Sequence, residues 1–268
     1  GAGGGKGIAM TEPLLDVQAL TMNFGGLRAL DQVSLQVRPG EVVALIGPNG
    51  AGKTTFFNCV TGIYRPSGGD VFVTPPGKKR RRLNGLKTHQ VTEQGLARTF
   101  QNIRLFQEMT VLENVMIGRH CRTRAGVLGA VLRDPQTRRE EREIVDHSYA
   151  ILEKIGLAGE VNELAKNLPY GDQRRLEIAR AMATEPFLLL LDEPAAGMNP
   201  RETDALEVLI RRICDEEKIA VLMIEHDMRI VMSISNRIYV LDYGKKIATG
   251  TAAEIWENPV VIKAYLGE

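Results

Sequence analysis

The chain has 268 residues, of which 44% are apolar and 25% are charged. This composition is ordinary for a globular protein and excludes a fibrous or wholly disordered chain. The formal net charge is only +1, so the overall charge gives no reason to expect a nucleic acid or an anionic membrane as a partner. Apolar runs are far shorter than the roughly 18 residues that span a bilayer, so we expect no membrane-spanning helix.

The amino-terminal segment and the cysteines indicate where the folded domain begins and in which compartment it works. Residues 1–9, GAGGGKGIA, are rich in glycine and lack hydrophobic periodicity. We expect them to be a disordered leader or an expression scar, and residues 10–268 to form the folded domain. The three cysteines, Cys59, Cys121 and Cys214, are widely spaced and contain no C-x-x-C pair, which is typical of reduced thiols in a cytosolic protein.

Hydrophobic periodicity in the first third of the chain predicts strands around one helix. Apolar and polar residues alternate within 15–37, which indicates half-buried, antiparallel strands. The near-continuous apolar segment 41–46 is typical of a strand buried on both faces. The residues after GPNGAGKTT predict a helix that carries Phe56 and Phe57, and a short strand is expected at 71–73.

The rest of the chain combines helical spacing with a regular alternation of strands and helices. Helical spacing dominates 110–157, and from Phe187 onward buried strands alternate with amphipathic helices. This alternation predicts a parallel sheet covered on both faces. Segment 252–268 is expected to form two short helices separated at Pro259. The predicted fold class is therefore α/β, with a parallel core sheet and an antiparallel β part.

Five consecutive basic residues, Lys78 to Arg82, lie between two turn-rich segments. Blocks of like charge are usually exposed, so we expect a solvated loop. The alternative is contact with anionic lipid headgroups beside a membrane partner.

The strongest motif is GPNGAGKT, residues 47–54, which matches the pattern G-x-x-x-x-G-K-[ST] in full. It follows the apolar strand 41–46 and precedes the predicted helix, as this pattern requires. Its glycines let consecutive backbone N–H groups face one phosphate, and the helix N-terminus adds positive potential. Lys53 would bind the β- and γ-phosphates, and the Thr54 hydroxyl would bind Mg²⁺. The expected nucleotide-binding residues are Gly47, Pro48, Asn49, Gly50, Ala51, Gly52, Lys53, Thr54 and Thr55.

A second part of the site is predicted where the apolar segment 187–191 ends in Asp192 and Glu193. Ligands bind at the carboxyl edge of a parallel sheet, and this is where the two carboxylates would lie. Asp192 can hold Mg²⁺, directly or through water, while Glu193 can polarise an attacking water. The alternative is that these acidic residues only cap the next helix.

Further sequence elements follow the order of a known family. They are Phe24 before GGLRAL, Gln101 in RTFQNIRLF, Gly171 in LPYGDQRR, segment 196–199 after Glu193, and His226 in VLMIEHD. With them the chain resembles the nucleotide-binding subunits of ABC transporters. The resemblance implies that RTFQNIRLF is the glutamine loop, in which Gln101 joins the metal to the transmembrane coupling surface, and that LPYGDQRR is the signature segment. It also implies that His226 contacts the γ-phosphate and that Phe24 stacks on adenine.

The resemblance extends over nearly the whole chain to the ATPases of branched-chain amino-acid importers. Segments PLLDVQALTMNFGGLRAL, RTFQNIRLFQEMTVLENV, LDEPAAGMNP and the ending KAYLGE carry it. Lipopolysaccharide-export ATPases and the ATPases of amide or urea importers share several of these features and stay as alternatives. The implied partners are transmembrane permease subunits, a second ABC ATPase and, indirectly, a substrate-binding protein. The implied location is the cytoplasmic face of the plasma membrane, as a peripheral subunit.

The family likeness also implies a fold and a mechanism. A helical insert is expected at about 100–180, and two subunits would dimerise head to tail around ATP. Hydrolysis would be phosphoryl transfer to water: Lys53 and Mg²⁺ neutralise charge, Glu193 activates the water, and Gln101 and His226 complete the site. A non-transport ATP switch is disfavoured because neither tandem ATPase halves nor long coiled-coil insertions are present. A purely regulatory module would require a damaged catalytic set, which the sequence does not show.

The signature segment departs from the family pattern. Pro169 replaces the usual serine and offers neither a hydroxyl nor a backbone N–H. Tyr170 replaces a glycine, and Asp172 adds negative charge where phosphate should approach. We therefore predict an asymmetric heterodimer in which the site at Lys53, completed by a partner's intact signature, turns over faster. The alternative is that Gly171 and the helix N-terminus suffice.

Overall fold

The computed structural model describes residues 12–120 and 135–266. The strands are β1 (Leu15–Phe24), β2 (Leu27–Val37), β3 (Val42–Ile46), β4 (Gly68–Val73), β5 (Arg81–Arg82), β6 (Leu96–Arg98), β7 (Leu188–Asp192), β8 (Ala220–Ile224), β9 (Arg237–Asp242) and β10 (Lys245–Gly250). The α-helices are α1 (Lys53–Val60), α2 (Thr88–Glu93), α3 (Val111–His120), α4 (Pro135–Ile155), α5 (Tyr170–Met182), α6 (Pro200–Asp215), α7 (Met228–Ile234), α8 (Ala252–Trp256) and α9 (Pro259–Leu266). Within these residues no helix is long and apolar enough to cross a membrane.

The larger sheet has the strand order β10-β9-β3-β8-β7-β6. Its strands run parallel except β10, which pairs antiparallel with β9. The predicted parallel core sheet is therefore confirmed. Because β3, β7 and β8 are neighbours, the loops that follow them emerge at one edge of the sheet.

The smaller sheet has the order β2-β1-β4-β5, and its pairs are antiparallel. This confirms the antiparallel strands predicted from the alternation within 15–37. The smaller sheet covers one face of the larger sheet, because successive residues of β3 alternate between two apolar cores. Val43 and Leu45 belong to the apolar core shared with β1 and β2, whereas Val42, Ala44 and Ile46 belong to the core beneath the helices. A strand buried on both faces must be apolar at every position.

The basic run differs in part from the predicted solvated loop. Its residues are exposed, but Arg81 and Arg82 form the short strand β5 on β4. Arg80 Nη2 lies 2.6 Å from Asp16 Oδ2, and Arg82 Nη2 lies 2.6 Å from Asp70 Oδ1. Carboxylates of the neighbouring strands thus offset the like charges and allow this segment to pair.

Helices α3, α4 and α5 occupy the region where the helical insert was predicted, and their apolar sides share one core. That residues 100–180 form a separate unit stays a prediction. The two short carboxy-terminal helices are found as α8 and α9, and Pro259 begins α9, since proline suits a first helical turn. The expected leader at residues 1–9 and Cys121 lie outside the described residues.

Candidate functional site

A cleft of about 520 Å³ opens at the edge where β3, β7 and β8 end, and most of the predicted site residues line it. The predicted residues on its wall are Phe24, Asn49, Gly50, Ala51, Gly52, Lys53, Thr54, Thr55, Gln101, Glu193 and His226. Leu27, Arg28 and Tyr243 also line it, although sequence analysis did not select them. Residues from distant parts of the chain therefore meet in one cavity beside the phosphate loop.

The loop between β3 and α1 has a backbone that only glycine permits at two positions. Gly47 and Gly52 have φ values of 149° and 101°. A Cβ on Gly47 would lie 2.0 Å from the carbonyl oxygen of Leu241, and one on Gly52 would lie 2.7 Å from that of Ala29. Gly52 caps α1 without a side-chain hydrogen bond. The first N–H groups of α1 thus face the cleft without a side-chain acceptor, as phosphate binding requires.

Lys53 is the buried cation of this loop. Its Nζ donates to the carbonyl oxygens of Gly47 at 2.7 Å and Pro48 at 2.9 Å. Burial lowers the pKa of the Lys53 ammonium, and the negative charges of Glu193 and Asp192 partly offset this effect. Carbonyl acceptors and nearby carboxylates therefore hold a positive charge at the point where phosphate would enter.

The Glu193 carboxylate lies between two polar side chains. Gln101 Nε2 donates to Glu193 Oε2 at 2.7 Å, and His226 Nε2 lies 2.7 Å from Glu193 Oε1. Glu193 has a left-handed backbone, with φ of 49°, and its N–H donates to the carbonyl oxygen of Ile224 at 2.9 Å. Such a conformation is costly for a residue other than glycine and is typical of functional sites.

Asp192, the predicted metal ligand, is buried behind the cleft. Its Oδ2 accepts from Arg98 Nη2 at 2.8 Å, and both side chains are almost completely buried. Arg98 Nη1 also donates to Asn58 Oδ1 at 2.7 Å, which ties β6 and α1 to β7. Sequence analysis missed Arg98 because its partner is 94 residues away.

Glu225, directly after β8, is a second buried carboxylate that sequence analysis did not select. Its Oε1 accepts from the N–H of Ala195 at 2.8 Å, and its Oε2 accepts from the N–H groups of His226 at 2.9 Å and Asp227 at 3.3 Å. Burial raises the pKa of Glu225, and these three hydrogen bonds counteract the rise. The signal in the sequence is a carboxylate next to five buried apolar residues, where it needs partners.

Comparison with known proteins gives this cleft its context. A family profile described as ABC transporter matches residues 30–196. The chain belongs to the ABC transporter family. A second profile, described as branched-chain amino acid ATP-binding cassette transporter, matches residues 245–268. As an ABC-family ATP-binding cassette, the chain is an ATPase that drives transport, which confirms the activity that the family resemblance implied.

Individual relatives agree with this assignment. The chain is 51% identical to the high-affinity branched-chain amino acid transport ATP-binding protein LivG of Salmonella typhimurium, over 97% of this chain and 100% of that protein. It is 34% identical to the lipopolysaccharide export system ATP-binding protein LptB of Acidithiobacillus ferridurans, over 95% of this chain and 97% of that protein. The ADP conformation of MJ1267, an ATP-binding cassette of an ABC transporter, superposes with a TM-score of 0.82 at 32% identity, covering 96% of this chain and all of that one.

The signature segment of this ABC ATPase lies away from its own phosphate loop. Gly171 borders a separate depression together with Asp172 and Met198. Pro169 is the N-cap of α5 and provides no side-chain cap, while the Asp172 carboxylate forms an ion pair with Arg175. The predicted site residue Gly171 thus lies in a different cavity, whereas Gly47, Pro48 and Asp192, which do not line the cleft either, belong to the loop and the strand that border it.

A buried arginine joins helix α5, the signature helix, whose first turn contains part of the signature segment, to the glutamine loop. Arg174 Nη1 donates to the carbonyl oxygen of Phe100 at 2.8 Å, and its Nη2 donates to the carbonyl oxygen of Gln101. The ring of Tyr170 is close to Gly197, where an added Cβ would lie 3.3 Å from Tyr170 Cε1. The signature helix therefore contacts both the loop that contains Gln101 and the loop that begins at Glu193.

Proposed function

We propose that this chain is the ATP-hydrolysing subunit of an importer for branched-chain or related amino acids. The observation that carries the substrate class is the 51% identity with LivG over 97% of this chain and all of LivG. The export ATPase LptB is more distant, at 34% identity. An importer of amides or urea stays as a second candidate because those ATPases carry similar segments.

The cleft supports the following roles. The triphosphate of ATP would lie on the phosphate loop, where Lys53 and the first N–H groups of α1 neutralise its charge. Glu193 would orient the attacking water, and Gln101 and His226 hold that carboxylate by hydrogen bonds of 2.7 Å. Phe24 is 42% exposed, and its ring packs edge-on against that of Tyr64 with the two centroids 5.3 Å apart; this ring would stack on adenine.

Magnesium fits the oxygen donors beside the phosphate loop. The described residues contain no cluster of three or more histidine, cysteine, aspartate or glutamate side chains that could hold a metal unaided. The expected donors are the Thr54 hydroxyl, the Asp192 carboxylate and the Gln101 amide oxygen. Mg²⁺ prefers hard oxygen ligands of this kind and binds nucleotide phosphates together with them. Arg98 engages Asp192 Oδ2, so this buried carboxylate would hold the ion through Oδ1, directly or through a water. Bound Mg²⁺ would neutralise charge on the transferred phosphate.

The placement of the signature segment supports a dimer. Lys53 and Gly171 line different cavities of one chain, so one subunit alone does not surround a nucleotide with both. A second ABC ATPase would bring its signature segment to this phosphate loop. MJ0796, an ABC transporter cassette of similar fold, has been solved as a dimer.

A groove beside the glutamine loop supports contact with a permease. It has a volume of about 660 Å³ and is lined by Phe100, Arg104 and Phe106, among others. Phe106 is almost half exposed, although it is aromatic. An exposed aromatic residue in a groove that also contains Phe100, the chain neighbour of Gln101, suits a transmembrane partner that must sense the nucleotide cleft. The subunit would then be peripheral on the cytoplasmic face of the membrane, and a substrate-binding protein would act from the other side.

The test is ATP turnover of the complex reconstituted with its permease subunits and second ATPase. Turnover should require Mg²⁺ and rise with a branched-chain amino acid and its binding protein. Glu193→Gln should keep ATP binding but lose turnover by at least about a hundredfold, as expected for a positioned base, whereas Lys53→Ala should lose nucleotide affinity. Glu207→Gln is the matched control: Glu207 lies on α6 outside the cleft, where it accepts from Ser233 Oγ, and the variant should turn over ATP as wild type does.

Two results would contradict the proposal. Near-normal hydrolysis by Glu193→Gln would remove the role assigned to Glu193. Stimulation by urea, by an amide or by lipopolysaccharide, and not by a branched-chain amino acid, would reject the substrate class and leave the ATPase assignment in place.

A further inference from the structure

We infer that Glu225 is a positioning residue, which sets the geometry of the Glu193–His226 contact by fastening together the two loops that carry these side chains. The inference rests on the proposed roles of Glu193 and His226. The Glu225 side chain itself does not line the nucleotide cleft.

The first step is the pair of loops. Glu193 begins the loop after β7, and His226 belongs to the loop after β8. Strands β7 and β8 are hydrogen-bonded neighbours, and the last ladder pair is Asp192 with Ile224. Beyond it the loops are joined by the bond from Glu193 N–H to the Ile224 carbonyl and by side-chain contacts.

The second step is the way in which Glu225 joins these loops. One carboxylate oxygen accepts from Ala195 N–H, two residues after Glu193, and the other accepts from His226 N–H. The carboxylate is 3% exposed, so water cannot replace either bond at low cost. A single rigid group thus fixes the backbone on both sides of the 2.7 Å contact between His226 Nε2 and Glu193 Oε1.

The third step is that the contact between the loops depends on both the length of the Glu225 side chain and its two acceptor oxygens. A glutamine amide has one acceptor oxygen, and its NH₂ group would face a backbone N–H of one loop. An aspartate keeps the charge but is shorter by one methylene, so it cannot span the same gap. Glu225→Gln and Glu225→Asp should therefore both misplace His226 relative to Glu193.

The experiment measures ATP turnover and ATP binding of the reconstituted complex carrying Glu225→Gln, Glu225→Asp or the control Glu254→Gln. Glu254 also accepts a backbone N–H bond, from Thr251 at 2.7 Å, but it caps the remote helix α8. We expect kcat to fall about tenfold in both Glu225 variants, because charge-assisted hydrogen bonds to a buried group are lost. The KM for ATP and the Kd of a fluorescent ATP analogue should change less than twofold, and the control should match wild type.

A double-mutant cycle with His226→Ala decides whether Glu225 acts through the histidine. If it does, Glu225→Gln should cost little further turnover once His226 is alanine. Additive losses, or an unchanged kcat in Glu225→Gln, would overturn the inference. So would a loss in Glu225→Gln that Glu225→Asp does not share, because that pattern indicates a need for charge alone. A melting temperature lowered together with weaker ATP binding would reduce Glu225 to a structural residue, while absence of turnover in wild type would instead reject the proposed function.

Discussion

Burial shifts the pKa values of two side chains of helix α1, Lys53 and Cys59, in opposite directions. It lowers the pKa of the Lys53 ammonium, because the charged form loses water, and it raises the pKa of the Cys59 thiol to about 11, because the thiolate would lose water. Lys53 has carbonyl oxygens as hydrogen-bond acceptors and carboxylates nearby, which offset part of this cost. The pKa of Cys59 is raised by burial alone.

This difference predicts that Cys59 is chemically inert in the folded protein. With a pKa of about 11, only about one molecule in a thousand carries the thiolate at pH 8, and the thiolate is the reactive form. Iodoacetamide at pH 8 should therefore leave Cys59 unmodified in the native chain and modify it fully in guanidinium chloride. Mass spectrometry of the peptide that contains Cys59 measures both. Native labelling as fast as in the denaturant would contradict the assigned burial.

At the scale of secondary-structure elements, Arg98 is the side chain that joins most parts of the site. It connects the end of β6 with Asp192 at the end of β7 and with Asn58 on α1. The rings of Phe57 and Phe100 lie 5.4 and 5.3 Å from its guanidinium carbon. Removal of the cation would leave a buried carboxylate without its counter-ion.

We predict that Arg98→Met lowers the melting temperature by about 10 °C. Breaking one partner of a buried ion pair costs about 3–5 kcal/mol, and each kcal/mol shifts the midpoint by about 2–4 °C in a domain of this size. The matched control is Arg82→Met, which removes an arginine from the exposed pair with Asp70 at 2.6 Å. Exposed pairs contribute about 0–1 kcal/mol, so this variant should melt close to wild type.

Thermal unfolding followed by circular dichroism measures both variants under the same conditions. Equal shifts in the two variants would show that burial does not distinguish these ion pairs. A stable Arg98→Met protein would show that Asp192 finds another partner or takes up a proton.

The same elements show how far the sequence could predict the structure. Strands such as β3 and β8 were predictable because five consecutive apolar residues are a local signal. Strands β5 and β6 have two and three residues, too few for any periodicity, and they form because a neighbouring strand supplies the partner groups. The phosphate loop was predictable from its motif, since glycine spacing and the following helix are both local.

The convergence on Glu193 had a different source. That Gln101 and His226 belong with Glu193 came from the family resemblance, because Gln101 and His226 are 125 residues apart in the chain. Arg98 and Glu225 were missed because their partners, Asp192 and Ala195, become neighbours only when the sheet forms. No local pattern identifies a contact of that kind.

At the scale of the whole molecule, the signature helix α5 contributes to a cavity different from the one that contains Lys53. In the proposed dimer, each nucleotide would therefore meet the phosphate loop of one subunit and the signature of the other. The signature of this chain lacks a hydroxyl and an N–H at Pro169. The ion pair with Arg175 offsets part of the negative charge of Asp172, so Pro169 and Tyr170 are the departures that remain, and Pro169 is the one that removes hydrogen-bond donors.

We predict that the two sites of the transporter are unequal. A lost charge-assisted hydrogen bond costs about 1.5–3 kcal/mol, so the site completed by Pro169 should turn over at least about tenfold more slowly than the site at Lys53. In the complex reconstituted with a distinct second ATPase, Lys53→Ala should then cost more turnover than alanine at the equivalent lysine of the partner. Pro169→Ser, which restores the hydroxyl and the N–H, should bring the two losses closer together. Equal losses from the two lysine variants, with no effect of Pro169→Ser, would mean that Gly171 and the N-terminus of α5 bind phosphate well enough alone.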